Sequence, residues 1–133
     1  MSSYDRNNPL NYTLEQEVDG LPPNHKEKKM TLEQLAQSIA DWGTQRGITI
    51  NGKPETQTLK LMSEMGELAD NIAKGRYEAA KDDIGDCIVV LIMIAELIDT
   101  DIKECLEVAY SDIKDRKGFL NEHGVFVKEG DVE

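Results

Sequence analysis

The amino-acid sequence predicts an all-α protein folded as an antiparallel four-helix bundle. The first observation is composition: aromatic residues make up only 5% of the 133 residues and charged residues 31%, which favours helices over a β-sandwich or barrel. The second is that four segments beyond residue 30 carry apolar residues at helical spacing. The third is that glycine, proline or polar capping residues bound these segments.

The chain divides into residues 1–29 and residues 30–133. The first segment is rich in Asn, Pro, Asp and Lys and shows no sustained apolar period, so we interpret it as an N-terminal extension. The second segment is long enough for one domain with a single hydrophobic core. We therefore expect one folded domain preceded by an appended arm.

The predicted helices begin and end at recognisable residues. Thr31 and Gln34 have the spacing of a capping box, which starts the first helix. Gly75 stops the second helix, because glycine is the usual residue just beyond a helix end. The first helix is expected to run from residue 31 to a break marked by Gly43, Gly47 and Asn51-Gly52. Three further helices are expected over about residues 54–74, 77–98 and 102–117. A short C-terminal hairpin or loop is expected around residues 121–124.

The third predicted helix has a centre, residues 88–95, that is apolar on every side. Such a helix must be buried, either inside the bundle or at an interface between subunits. We therefore expect a homodimer or a homotetramer.

Charge and composition exclude several function classes. Acidic residues outnumber basic ones by 26 to 15, and the net charge of −11 repels nucleic acids and anionic membranes. The longest apolar run, residues 87–95, is shorter than the roughly 20 residues that a membrane span needs. Cys87 and Cys105 lie in helical patterns, so we interpret both as buried apolar residues rather than as a disulfide or a metal site. We expect a cytoplasmic protein that binds neither nucleic acid nor membrane.

Two pairs of acidic residues share helix faces on either side of the predicted turn. Glu64 and Glu67 lie three residues apart, as do Asp83 and Asp86. Glu67 and Asp83 each lie eight residues from Gly75, and Glu64 and Asp86 each lie eleven. If Gly75 forms the turn of an antiparallel hairpin, equal offsets bring the pairs to the same heights. Helical steps from Asp83 and Asp86 reach apolar positions, so we expect all four acids to point inward.

Inward carboxylates predict a bound cation. Carboxylates about 5 Å apart repel by roughly 3 kcal/mol at an effective dielectric of 20, so four of them need a countercharge. Oxygen ligands favour Mg²⁺, with Mn²⁺ as a substitute, over zinc or copper. His25 and His123 lie outside the predicted helices, which excludes a di-iron centre of the Glu-x-x-His type.

The two acid pairs and their surroundings, residues 61–68 and 82–86, resemble the MazG-like all-α nucleoside triphosphate pyrophosphohydrolases. The resemblance covers about residues 30–128. Two positions depart from the family pattern. Ser63 stands where many relatives carry glutamate, which leaves the number of metal ions open, and Asp83 stands where glutamate is usual, which shortens a ligand without changing its chemistry.

The resemblance implies an enzyme that hydrolyses a (d)NTP between the α- and β-phosphates to a (d)NMP and pyrophosphate. It implies that the four acids hold Mg²⁺ and carry catalysis, with Glu64 as one candidate for the residue that orients or deprotonates the attacking water. The candidate substrate contacts are Lys60, Lys114, Arg116, Lys117 and Trp42. Packing also accounts for Trp42, and the helix C-terminus for the cluster 114–117.

Two other functions stay open. An acidic helical module that binds a basic protein partner would explain the net charge, although it gives no reason for the matched acid offsets. A family member that binds nucleotides without hydrolysing them would share the acids. The nucleotide base, the sugar, the pathway and the role of residues 1–29 cannot be read from the sequence.

Overall fold

The structure is a computed structural model, and it describes residues 29–131. The predicted extension therefore lies, except for Lys29, outside the described residues. The described part is mostly helical, which confirms the all-α prediction. In chain order its elements are α1 (Leu32–Gln45), α2 (Ile48–Asn51), α3 (Pro54–Ala73), α4 (Tyr77–Leu97), α5 (Ile102–Ile113), β1 (Gly118–Leu120) and β2 (Phe126–Lys128).

The start of α1 is fixed by its own sequence. The Thr31 hydroxyl accepts a hydrogen bond from the Gln34 amide at 3.1 Å. In return, the side-chain oxygen of Gln34 accepts one from the Thr31 amide at 2.8 Å. This reciprocal pair is the predicted capping box, and it satisfies two amides that the first helical turn leaves without carbonyl partners.

Helices α3 and α4 form an antiparallel hairpin around Gly75. Gly75 has φ +69°, a conformation that glycine adopts without a steric penalty. Its amide donates to the Ile72 carbonyl at 3.1 Å, and the Arg76 amide donates to the Asn71 carbonyl at 2.8 Å. This pair of bonds is a Schellman motif, which ends α3 and lets α4 begin at once. The predicted helix stop is confirmed.

The region between α1 and α3 differs from the prediction. Helix α1 continues through Gly43, and the short helix α2 occupies part of the expected break. Gly43 is buried, and a Cβ atom there would meet the sulfur of Met93 on α4. The prediction that Gly43 breaks the helix is wrong, because its missing side chain serves close packing of α1 against α4.

Helix α4 is the central element of the described domain. It contacts each of the other four helices, and Val90 and Met93 on it are its most deeply buried large side chains. Ala40 on α1 and Ile92 on α4 join Met93 in one core cluster. The predicted burial of residues 88–95 is confirmed for one side of the helix, whereas Ile88 and Leu91 are exposed in the single chain. A closed four-helix bundle is not confirmed, because α3 packs extensively against α4 alone.

The C-terminal hairpin agrees with the prediction. Asn121 organises its turn, since its side-chain oxygen accepts hydrogen bonds from the amides of His123 (2.9 Å) and Val125 (3.0 Å). The antiparallel register pairs Gly118 with Lys128, Phe119 with Val127 and Leu120 with Phe126.

The structure also tests the predictions about the two cysteines and about membrane-spanning segments. Cys87 is buried as expected, but Cys105 is exposed, so the prediction of burial is wrong for this residue in the single chain. Each helix within residues 29–131 falls short of the length or apolar content that crossing a membrane requires.

Candidate functional site

Three of the four predicted acids are buried where α3 packs against α4. Glu64 on α3 is 5% exposed, and Asp83 and Asp86 on α4 are 6% and 8% exposed. Glu67 is exposed. The expectation that the acids point inward is therefore confirmed for three residues and wrong for Glu67.

Helical geometry explains why Glu67 differs. The residues that α3 buries or half-buries follow spacings of three and four, a pattern typical of two helices packed side by side. Its last four members, which we call the α3 seam, are Leu61, Glu64, Leu68 and Asn71. Glu67 precedes Leu68 by one position and falls beside the seam. The series also identifies Asn71, a site residue that the sequence interpretation missed.

Asn71 forms a direct link across the hairpin. Its Nδ2 donates a hydrogen bond to Oδ2 of Asp83 at 2.6 Å. Asn71 lies four residues before Gly75, whereas Asp83 lies eight after it. The two meet because helical side chains lean toward the N-terminus of their own helix: away from the turn on α3, toward it on α4. Equal offsets from Gly75 therefore do not identify the side chains that meet.

The buried groups share one electrostatic environment. Burial raises the pKa of the Asp86 carboxyl above its ordinary value. Neighbouring carboxylates raise it further, those of Asp82, Glu64 and Asp83. Burial also raises the pKa of the Cys87 thiol, and the carboxylates of Glu64, Asp83 and Asp86 add to that shift. The pocket is thus strongly negative, and it favours a proton or a cation.

The donor chemistry of this pocket fits a hard divalent cation, since its acids offer only oxygen. Among residues 29–131, however, no three His, Cys, Asp or Glu side chains are arranged to hold a metal ion as they stand. Binding a cation therefore requires some of these side chains to rotate toward a common point. The four acids remain predicted ligands.

A comparison with known protein families identifies the domain. Residues 52–117 match the family model of the MazG nucleotide pyrophosphohydrolase domain. Over these residues the chain belongs to the MazG family. The matched part contains α3, α4 and α5 and therefore all four predicted acids. MazG proteins generally use divalent metal ions, which agrees with the negative pocket.

A phage protein is similar to part of this MazG chain. The uncharacterized 18.2 kDa protein in the rep-hol intergenic region of Haemophilus phage HP1 (strain HP1c1) is 40% identical over 65 residues. The aligned part covers 49% of this chain and 40% of the phage protein, so the chain spans less than half of that relative's length. No solved structure matches the chain.

The predicted phosphate contacts of the MazG domain are exposed basic residues. Lys60 lies on α3, one turn before Glu64, while Lys114 is the C-cap of α5 and Lys117 precedes β1. Arg116 forms an ion pair with Asp112 on the preceding turn, at 2.6 Å. The part of the chain that the structure describes does not test their contact with a substrate, so all four remain predictions.

Trp42 is half-buried on α1. The guanidinium carbon of Arg46 lies 5.8 Å from the centre of its ring, within the range of a cation–π contact. This contact favours a packing role for the indole, and stacking on a nucleobase remains a prediction.

Proposed function

We propose that this MazG chain is a metal-dependent nucleoside triphosphate pyrophosphohydrolase, which converts a (d)NTP into a (d)NMP and pyrophosphate. The observation that carries the proposal is the joint burial of Glu64, Asp83 and Asp86 within a MazG domain. Burial and the carboxylates of Glu64 and Asp83 raise the pKa of the Asp86 carboxyl, which disfavours its ionised form. Such an arrangement is expected at a site that binds a cation rather than at a solvated helix surface.

Each acid has a distinct place in the proposed site. Glu64, Asp83 and Asp86 are the inner ligands, and the exposed Glu67 reaches the cation from the rim, one turn along from Glu64. A bound Mg²⁺ supplies charge for the polyphosphate and lowers the pKa of the attacking water. One carboxylate, with Glu64 as the candidate, orients that water and accepts its proton.

The basic residues complete the proposed substrate site. Lys60 precedes Glu64 by four residues on α3, about one helical turn, which supports it as the proposed contact for phosphate oxygens. Lys114, Arg116 and Lys117 are a second source of positive charge, with the guanidinium released from Asp112 when phosphate binds. The indole of Trp42 is the proposed contact for the base.

A homo-oligomer is part of the proposal. Helices α1, α4 and α5 border an open groove of about 720 Å³ whose wall is mostly apolar. The groove includes Leu35, Ile88 and Leu91, all at least 40% exposed. Monomeric proteins rarely leave large contiguous apolar patches in water. A second copy of the chain offers a matching apolar face by symmetry, so we propose that it covers this groove.

A nucleotide panel tests the proposed reaction. The full chain is incubated with the common NTPs and dNTPs and with Mg²⁺ or Mn²⁺, and the products are separated by ion-exchange chromatography. We expect a nucleoside monophosphate and pyrophosphate from at least one substrate, because cleavage occurs between the α- and β-phosphates. EDTA should abolish the turnover, and excess Mg²⁺ should restore it.

Three results would contradict the proposal. A nucleoside diphosphate with inorganic phosphate would place cleavage at another bond. Turnover that persists in EDTA would exclude the metal. Binding of a nucleotide without turnover, measured by calorimetry, would assign the chain to the nucleotide-binding alternative.

A further inference from the structure

Asn71 occupies a position where packing alone would favour an apolar residue. It is half-buried at the end of the α3 seam, after Leu61, Glu64 and Leu68. A side-chain amide in such a place costs desolvation free energy unless its hydrogen bonds are satisfied. The seam geometry therefore gives no reason for an amide at this position.

The partner of Asn71 supplies that reason. The 2.6 Å hydrogen bond joins its Nδ2 to Oδ2 of Asp83, and Asp83 is almost fully buried. A hydrogen bond to an ionised carboxylate is shorter and stronger than one between neutral groups. Because Asn71 and Asp83 lie on different helices, the bond also fixes the Asp83 carboxylate relative to α3, the helix that carries Glu64.

The bond gives the two carboxylate oxygens of Asp83 different roles. Oδ2 is held by the amide, which restricts rotation of the carboxylate and leaves Oδ1 as the oxygen for another ligand. Asp83 contributes to the electrostatic environment of Asp86 and Cys87, so its orientation affects the whole negative pocket. Side chains that hydrogen-bond metal ligands commonly set metal affinity in this way.

We propose that Asn71 is a positioning residue that orients Asp83 for cation binding. Asn71 itself touches neither cation nor nucleotide. The inference rests on the proposed function, because it takes Asp83 as a metal ligand. It extends that function to a residue outside the acid motif.

Asn71→Leu tests the inference. Leucine keeps a side chain of similar size that suits the seam but removes the amide, which leaves Oδ2 of the buried Asp83 without this hydrogen bond. The metal-free variant should therefore remain folded but unfold at a somewhat lower temperature than the parent chain. Its affinity for Mn²⁺, followed by the electron paramagnetic resonance of the free ion, should fall about tenfold. The Mn²⁺ concentration for half-maximal turnover should rise by the same factor, with kcat at saturating metal changed less than about twofold.

Two controls separate this role from a structural one. Gln57→Leu removes an amide from a half-buried position at the other end of α3 and should leave Mn²⁺ affinity unchanged. In an Asp83→Asn background, Asn71→Leu should change Mn²⁺ affinity less than about twofold, because the orientation of Asp83 no longer matters. A chain with lowered stability but unchanged affinity for Mn²⁺ would overturn the inference and show that Asn71 only joins the helices.

Failure of this inference is distinguishable from failure of the proposed function. If the parent chain binds Mn²⁺ and Asp86→Asn abolishes binding, the metal site stands. Under those results, an Asn71→Leu variant that binds like the parent chain rejects the role of Asn71 alone. If the parent chain binds no Mn²⁺, both proposals fail together.

Discussion

Asp86→Asn is expected to lower metal-dependent nucleotide turnover at least about 100-fold while leaving the fold intact. The amide keeps the size of the side chain but removes its charge and one of its two ligand oxygens. Burial and neighbouring carboxylates already raise the pKa of the Asp86 carboxyl, so the pocket favours a neutral group there. The metal-free variant should therefore unfold at the same temperature as the parent chain or higher.

Opposite effects on turnover and stability would identify Asp86 as functional rather than structural. The assay compares initial rates at saturating Mg²⁺, with circular dichroism to measure thermal unfolding. Asp99→Asn is the matched control, because Asp99 is exposed and lies just beyond the C-terminal end of α4, far along the helix from Asp86, and it should retain most of the activity. Full turnover by Asp86→Asn would remove this residue from the site.

Glu67→Gln tests the exposed acid of the proposed site by the same comparison of turnover with stability. Glu67 is exposed, so its replacement should leave the free energy of unfolding nearly unchanged. If Glu67 is the fourth ligand, turnover falls together with that of Asp86→Asn. Normal turnover would reduce the site to the three buried acids.

Ile88→Glu is expected to convert the oligomer into a monomer. Ile88 lies in the apolar groove and is 43% exposed in the single chain, so in the proposed oligomer it is covered by the second copy. A glutamate there would be desolvated at the interface without a designed partner, a cost of several kcal/mol. The dissociation constant should rise at least about 100-fold. Analytical ultracentrifugation at micromolar concentration measures the change.

Val108→Glu is the control for the apolar groove. Val108 is also exposed, on α5, but it does not line the groove, so its replacement should leave the oligomer unchanged. A parent chain that is monomeric at micromolar concentration would contradict the oligomer proposal. Equal dissociation constants for Ile88→Glu and the parent chain would place the interface on another face.

The features that sequence reasoning predicted well depend on neighbouring residues. Thr31 and Gln34 cap α1 through bonds three residues apart, and Gly75 ends α3 through its own positive φ. The C-terminal hairpin likewise follows from a turn built on Asn121. Local chemistry decides each of these, so the pattern in the sequence is sufficient.

The features that sequence reasoning missed depend on contacts between segments that are distant in the sequence. From its neighbours alone, Gly43 is interpreted as a helix breaker. In the structure, its missing side chain makes room for Met93, which lies fifty residues later in the sequence. Counting offsets from Gly75 ignored the direction in which helical side chains tilt, so it overlooked the bond between Asn71 and Asp83. Glu67 appeared equivalent to Glu64 because a spacing of three residues does not show which of the two lies on the seam.

Binding of Mn²⁺ to the metal-free full chain is the most direct test of the central claim, that the buried carboxylates form a divalent cation site. Titration followed by electron paramagnetic resonance should show saturable binding by the parent chain. Affinity should fall at least about tenfold in Asp83→Asn and Asp86→Asn but not in Asp99→Asn. Identical binding curves for all four proteins, or no binding by the parent chain, would contradict the account.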